Sequence, residues 1–126
     1  MAKPQKRVVT ILAIFLCMFM VVGTVSADGY IHPDFDVSSY ISGGKGYAST
    51  WVINGPLPDH RPQVKCELQN SITGATISTN ANYGGYNVRT ASTSCQNPTG
   101  ITTLRLWTTH MQWINATEYV FYDTRP

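Results

Sequence analysis

Charged residues are scarce in this sequence. Asp, Glu, Lys and Arg together make up 13% of the chain and form no block of one sign. Three of the nine basic residues, Lys3, Lys6 and Arg7, precede a long apolar run near the N-terminus. Residues 28–126 keep six basic residues against seven acidic ones, a formal net charge of −1. This balance gives no electrostatic basis for a nucleic acid or an anionic membrane as partner.

Helical periodicity and aliphatic side chains are also lacking. No long segment carries an apolar stripe at helical spacing. In residues 28–126, Thr, Ser, Asn and Gly outnumber Leu, Ile, Val, Met and Phe almost two to one. The seven tyrosines and three tryptophans must therefore supply much of the hydrophobic core. These aromatic residues and the low net charge argue against a disordered chain.

One long hydrophobic run is present, at the N-terminus. The basic residues are followed by apolar residues over 8–22 and then by the sequence Val25-Ser26-Ala27. This layout is typical of a secretory signal peptide. The run of about fifteen residues is shorter than the roughly twenty that a membrane-spanning helix needs. We expect residues 1–27 to be cleaved, leaving residues 28–126 as one secreted domain without a membrane span.

Cysteine is rare, and only Cys66 and Cys95 lie beyond the expected leader. In an oxidising compartment, such a pair predicts a disulfide. A bridge that closes a loop of about 30 residues stabilises a fold by about 3–4 kcal/mol. The alternative is a nucleophilic cysteine with His60 or His110 as its base, which export disfavours because it oxidises the pair.

The remaining chain is rich in strand-forming residues and punctuated by turns. Strands are predicted at 39–54 (two strands around a glycine-rich turn at 43–46), 64–68, 75–79, 88–95, 101–114 and 118–124. Gly74 suits the positive φ of a hairpin loop at 70–74. About seven short strands with regular turns predict an all-β fold, a small antiparallel β-sandwich or a partly open barrel.

The segment 101–114 is apolar on both faces. Its leucines share one face, and its tryptophans and methionine share the other. The strand is therefore central in the sandwich, or a bulge near 108–109 swaps its two sides. A third interpretation is an exposed platform of Trp113 and nearby tyrosines such as Tyr119, on which a sugar or a peptide would stack.

A possible metal site lies near the expected start of the mature chain. His32, Asp34 and Asp36 alternate, so on an extended chain their side chains point the same way and could bind a cation. Their position near a terminus, together with Pro33, instead favours a flexible or edge-docked segment. We expect no metal or other cofactor.

Two loops are candidates for recognition. The segment 53–63 contains three prolines, which stiffen it, and Asp59, His60 and Arg61 lie between the last two. A stiff loop with a tip of mixed charge is typical of an inhibitor or an adhesin, although a plain connection kept in place by proline would look the same.

The second loop, at 80–87, carries Tyr83 and Tyr86. Tyrosine and arginine are favoured anchors at interfaces because they bury a large area with few rotatable bonds. We therefore expect loops 55–62 and 80–87 to bind an extracellular protein or cell-surface component, as in a small toxin, bacteriocin or inhibitor. A carbohydrate-binding module that uses Trp113 and Tyr119 is the alternative.

Catalytic motifs are missing from the sequence: there is no G-x-S-x-G, H-E-x-x-H or Walker loop. A small secreted ribonuclease with His60 and His110 as base and acid, and Lys65 near the phosphate, is a second alternative. A catalytic Asp59–His60 pair is disfavoured because neighbouring side chains in an extended loop diverge. We therefore expect a protein without enzymatic activity.

Overall fold

The computed structural model describes residues 26–126, which form eight β-strands. The strands are β1 (Ser26–Gly29), β2 (Phe35–Ser42), β3 (Lys45–Val52), β4 (His60–Asn70), β5 (Thr76–Asn82), β6 (Thr90–Cys95), β7 (Leu104–Ile114) and β8 (Thr117–Arg125). Within this range no helix is long and apolar enough to cross a membrane. The expected leader lies outside the described residues, except that its last two positions, Ser26 and Ala27, fall in β1.

The strands form two antiparallel sheets. The larger sheet has the order β1-β8-β7-β4-β5, and the smaller sheet has the order β2-β3-β6. β2 packs over β7 and β8, β3 over β4 and β7, and β6 over β4 and β5. The predicted antiparallel all-β sandwich is confirmed. It has eight strands rather than about seven, because β1 adds an edge strand beside β8.

Glycines close two of the hairpins where the sequence predicts turns. The β2–β3 turn is made by Gly43 and Gly44, with φ of 58° and 76°. Two consecutive positive φ angles match the twist of a two-residue hairpin and suit glycine. Gly74, in the β4–β5 connection, also has a positive φ of 76°, as predicted.

β7 is central in the larger sheet, between β8 and β4. Its register with both neighbours is continuous, so there is no bulge near 108–109. The irregularity in this sheet lies instead between Leu68 and Gln69, where β4 pairs with β5. Because the alternation of β7 is unbroken, its leucines are buried towards the smaller sheet and Trp107 faces outward.

The disulfide joins the two sheets through one half of the interior. Cys66 on β4 is bonded to Cys95 at the end of β6, with a Cα–Cα distance of 6.6 Å. The predicted bridge is confirmed, and it is consistent with an extracellular protein. The apolar core surrounds it and includes Ala48, Val64, Leu68, Ala91, Leu104 and Leu106. The expectation that tyrosine and tryptophan supply much of the core is wrong, because none of these residues within 26–126 is fully buried.

The other half of the interior, beneath β2 and β8, contains several buried polar side chains beside Phe35 and Val52. The carboxylate of Asp123 accepts hydrogen bonds from Ser39 Oγ at 2.6 Å and from Arg125 Nε at 3.1 Å. His110 Nδ1 lies 2.8 Å from Thr50 Oγ1, and its Nε2 atom has no hydrogen-bond partner among the described residues. Polar side chains that are hydrogen-bonded at all but this one atom thus fill space for which the chain has too few aliphatic ones.

Side chains of β5 close one open side of the sandwich. The side-chain donors Ser78 Oγ, Asn80 Nδ2 and Asn82 Nδ2 reach the carbonyl oxygens of Gln96, Ser94 and Ser92 at 2.6, 3.0 and 3.2 Å. We call this set the edge ladder. Because β6 is the edge of the smaller sheet, these donors satisfy carbonyls that would otherwise be open to another strand.

Candidate functional site

Three connections meet at one end of the sandwich: residues 53–59, residues 83–89 and the β7–β8 turn at Asn115 and Ala116. Both predicted loops are shorter than expected, because β4 already begins at His60 and β5 runs to Asn82. Pro62 therefore lies inside a strand. It precedes Val64, where the pairing of β4 with β5 begins, so a residue without an N–H is tolerated there.

Arg61 lies at the centre of this end, between two aromatic rings. Its guanidinium carbon is 5.5 Å from the centroid of the Tyr86 ring and 6.0 Å from that of the Trp113 ring. Arg61 is opposite Trp113 in the β4–β7 register, and its Nε donates to the carbonyl oxygen of Gly84 at 2.8 Å. We call Arg61, Tyr86 and Trp113 the Arg61 cluster.

Hydrogen bonds fix the loops around the Arg61 cluster. Tyr86 OH donates to the carbonyl oxygen of Asn115. The backbone amide of Asn115 in turn donates to the carbonyl oxygen of Asp59 at 2.8 Å. Trp113 Nε1 donates to Gln63 Oε1 at 2.9 Å. The three connections are therefore tied to one another and to the strands, which leaves a recognition surface there little freedom to lose on binding.

His60 lies beneath this surface and is buried. Its Nδ1 is 2.7 Å from Asp59 Oδ1, and its Nε2 is 2.8 Å from Asp34 Oδ2. The expectation that Asp59 and His60 diverge is wrong: residues 58–59 form a turn, closed by the bond from the His60 amide to the Leu57 carbonyl, which brings the two side chains together. The ring also stacks on Phe35, with centroids 5.4 Å apart.

The two carboxylates set the protonation of His60. Burial lowers the pKa of the imidazole, but the hydrogen bonds to Asp34 and Asp59 outweigh burial and raise this pKa above its ordinary value. The hydrogen bond from His60 likewise lowers the pKa of the Asp59 carboxyl. His60, predicted as a contact residue, is positioned to hold Asp59 and the loop in place rather than to touch a partner.

The other predicted contact residues are distributed around this end. Tyr83 is exposed and lines a shallow groove with Tyr47 between β5 and β6, beside the Arg61 cluster. Trp113 is half-buried and faces outward, opposite Glu118. Tyr119 is the next residue and so points to the other face of the sheet, where it packs against Tyr30. Trp113 and Tyr119 therefore do not share one platform.

His60 and His110 are not brought together. Val64 is opposite His110, so His60 lies four residues, about 13 Å, further along the strand direction. His110 is fully buried between the sheets. Lys65 is on the outer face of β4, opposite Thr109. The three groups named for a ribonuclease are thus spread over the interior, the outer face and one end.

The N-terminal carboxylates and histidine are engaged within the protein. The amide of Asp34 donates to His32 Nδ1 at 3.0 Å, and that of Val37 donates to Asp36 Oδ1 at 2.9 Å. In residues 26–126 no group of three or more His, Cys, Asp or Glu side chains is arranged to hold a metal ion. The residues before this segment pair with β8 as edge strand β1, and the amide of His32 donates to Gln112 Oε1 at 2.7 Å.

Sequence reasoning missed Asp34 as a partner of His60 and Gly84 as a partner of Arg61. Neither contact has a local signal, because 26 and 23 positions separate the residues of each pair. Comparisons of this chain with family models, with curated proteins and with solved structures found no match.

Proposed function

We propose that this protein is a secreted, non-enzymatic binding protein that acts on an extracellular protein or a cell-surface component. Its recognition surface is the Arg61 cluster, with Asp59 and Tyr83 at the rim. The observation that carries the proposal is the fixed position of the Arg61 guanidinium between Tyr86 and Trp113. A toxin, a bacteriocin or an inhibitor would use such a surface.

The composition of the cluster supports binding. Arginine, tyrosine and tryptophan are the residues that most often dominate the energy of protein interfaces. Here they occur together, and hydrogen bonds hold all three before any partner arrives. Pre-organisation of this kind reduces the entropy that binding costs.

The charge of Arg61 indicates what the partner presents. Within residues 26–126 Arg61 forms no ion pair with an acidic side chain. A guanidinium suits a carboxylate because its planar donors match the two oxygens. We infer that the partner offers a carboxylate next to an apolar surface that packs on Tyr86.

A comparison of three immobilised forms tests this function: the unchanged protein, Arg61→Gln and Arg89→Gln. Arg89 is an exposed arginine at the β6 end of the 83–89 connection and outside the cluster, so its variant controls for the loss of one positive charge. We expect a protein captured from the producer's surroundings to be retained by the unchanged form and by Arg89→Gln, and to be lost with Arg61→Gln. Circular dichroism melts confirm that each variant is folded.

Equal retention by Arg61→Gln and the unchanged protein would exclude the cluster as the recognition surface. Loss of the captured protein from both arginine variants would show that binding depends on overall charge instead. A specific captured partner that Tyr86→Ala releases, with an unchanged melting temperature, would support the proposal independently of charge.

A further inference from the structure

A second surface lies further along the outer face of the larger sheet, the face that also carries Arg61 and Trp113. A groove of ≈ 490 Å³ crosses β1, β8, β7 and β4 there. We call it the Trp107 groove; its main lining side chains are Asp28, Lys65, Glu67, Trp107, Thr109 and Tyr122. Its volume falls in the range of small-ligand sites, roughly 300–1,000 Å³.

The register of the sheet creates this groove. Trp107 is opposite Thr124, and Tyr122 is opposite Thr109, so the two rings are diagonal neighbours across β7 and β8. Diagonal neighbours are about 7–8 Å apart. The short side chains of Thr109 and Thr124 lie between the rings and leave a hollow with a hydroxyl-bearing floor.

The two rings that line the groove are both exposed on the surface of the sheet. Trp107 is 48% exposed and Tyr122 is 50% exposed. Both project from paired strands rather than from loops, so their backbone is rigid. The Arg105 guanidinium lies 5.8 Å from the Trp107 ring and donates to Gln69 Oε1 at 3.1 Å, which holds one side of the ring in place.

The charges around the groove balance one another. Lys65 and Arg105 are positive, and Asp28 and Glu67 are negative. Hydrogen bonds from Gln69 Nε2 and Thr76 Oγ1, both to Glu67 Oε2, lower the pKa of this carboxyl and hold it as an ionised acceptor. A groove without net charge has no preference for a polyanion, so it does not fit a nucleic acid or a phosphorylated ligand.

The strands beneath the groove leave little for a peptide to bind. β8, β7 and β4 each have a hydrogen-bonded neighbour on both sides. A peptide could therefore pair through its backbone, the usual way in which extended peptides bind a sheet, only with the outer edge of β1 at the rim, and not along the floor of the groove. Recognition must use ring faces, hydroxyls and balanced charged groups. A neutral sugar matches this set, because each pyranose has an apolar C–H face and a rim of hydroxyls.

We propose that the Trp107 groove is a binding site for a neutral oligosaccharide. Trp107 and Tyr122 stack on sugar rings, while Lys65 donates to hydroxyls and Glu67 and Asp28 accept from them. Trp107 lies six residues, about 20 Å, from Trp113 along β7, so this site is separate from the Arg61 cluster. The leader cleavage expected after Ala27 retains Asp28 at the rim.

Titration of the purified protein with soluble oligosaccharides of glucose, N-acetylglucosamine, mannose, galactose and xylose tests the proposal. Tryptophan fluorescence and calorimetry measure binding. We expect at least one series to quench the fluorescence in a saturable manner. Trp107→Ala should abolish the quenching, and Tyr122→Ala should weaken binding at least roughly tenfold. Arg61→Gln should bind the sugar normally, which keeps this test independent of the proposed function.

Tyr40→Ala is the matched control, because Tyr40 is an equally exposed ring on the smaller sheet, 52% exposed. Thr109→Arg, which fills the floor and leaves both rings intact, should also block binding; it replaces Trp107→Ala if that variant fails to fold. The proposal would be overturned if none of the oligosaccharides bound, or if binding survived Thr109→Arg. It would also be overturned if Tyr40→Ala lost binding to the same extent as Trp107→Ala, or if oligothymidylate alone bound.

Discussion

His60 Nε2 lies 2.8 Å from Asp34 Oδ2, although 26 positions separate the two residues in the chain. Asp34 immediately precedes β2, and His60 begins β4. Together with the bond to Asp59, this contact pins the proline-rich connection against the turn before β2, directly beneath the Arg61 cluster. The proposed recognition surface is therefore supported by a buried imidazole between two carboxylates.

Replacement of this histidine should destabilise the fold most at acidic to neutral pH. Because folding raises the pKa of His60, protonation stabilises the folded state. This stabilisation is complete below about pH 6.5, the pKa of a histidine in the unfolded chain. It is lost as the pH rises through the higher pKa of His60 in the folded state. We expect His60→Gln to lower the free energy of unfolding by about 1–3 kcal/mol at pH 6 and by less at pH 9.

Urea titrations of both proteins across this pH range measure the difference. Asp34→Asn should reproduce part of the loss, whereas Asp36→Asn, which removes an exposed carboxylate that does not contact His60, should not. A difference between His60→Gln and the unchanged protein that grows with pH would contradict the assignment.

His110 should make the protein sensitive to acid. Burial lowers the pKa of His110 to about 4. Attraction to the Asp123 carboxylate raises this pKa, and repulsion from Arg125 lowers it further, but both effects are smaller than that of burial. The unfolded chain binds a proton near pH 6.5, and the folded state does so only near pH 4. The contribution of neutral His110 to the free energy of unfolding is therefore present above pH 6.5. It decreases as the pH falls towards 4, by about 3 kcal/mol in total.

Chemical unfolding from pH 7 down to pH 4 checks this expectation in the unchanged protein and in His110→Gln. The variant loses the titrating group, so its stability should fall less steeply over this interval, even if its stability at pH 7 is lower. Identical slopes in the two proteins would show that His110 does not control the acid sensitivity.

The bond between Cys66 and Cys95 should account for a large share of the stability. The two residues are 29 positions apart and belong to different sheets. Without the bridge, the unfolded chain gains the conformational entropy of an open loop of that length. The free energy of unfolding therefore falls by about 3–4 kcal/mol. We expect a clear drop in melting temperature with a thiol reductant and the same drop in a double Cys→Ala variant without it; an unchanged melt on reduction would contradict this prediction.

The edge ladder should protect β6 against pairing with other molecules. Asn80→Ala and Asn82→Ala each remove a side-chain donor to a β6 carbonyl. We expect each to cost about 0.5–1.5 kcal/mol, and the double variant to aggregate faster on heating. Light scattering during a thermal ramp measures this, with Asn97→Ala, outside the ladder, as control; equal aggregation of all variants would contradict a protective role.

Local patterns were sufficient for most strands and for the bridge. The alternation around Cys66 and the glycines at 43 and 44 act over a few residues, so a linear sequence reveals them. Strand ends were less predictable. Pro62 reads as part of a loop, but its position outside the β4–β5 pairing lets β4 include it.

The candidate sites depended more on long-range contacts. The sequence pointed to Arg61, Tyr86 and Trp113 as separate candidates in different segments, and only the folded chain stacks them at one end. His60 read as an exposed loop residue, yet Asp34 and Phe35 bury it. Trp107 and Tyr122 carried no signal of exposure, since tryptophan and tyrosine in a chain poor in aliphatic residues are expected in the core.

The sequence by itself determined that this is an all-β protein with a bond between Cys66 and Cys95, because strand periodicity, turn residues and cysteine pairing are local or compositional properties. Only the tertiary structure decided which face of each strand the second sheet covers. β7 has large side chains on both faces, and alternation shows which residues share a face but not which face becomes the interior. That choice buries His110 and leaves Trp107 exposed.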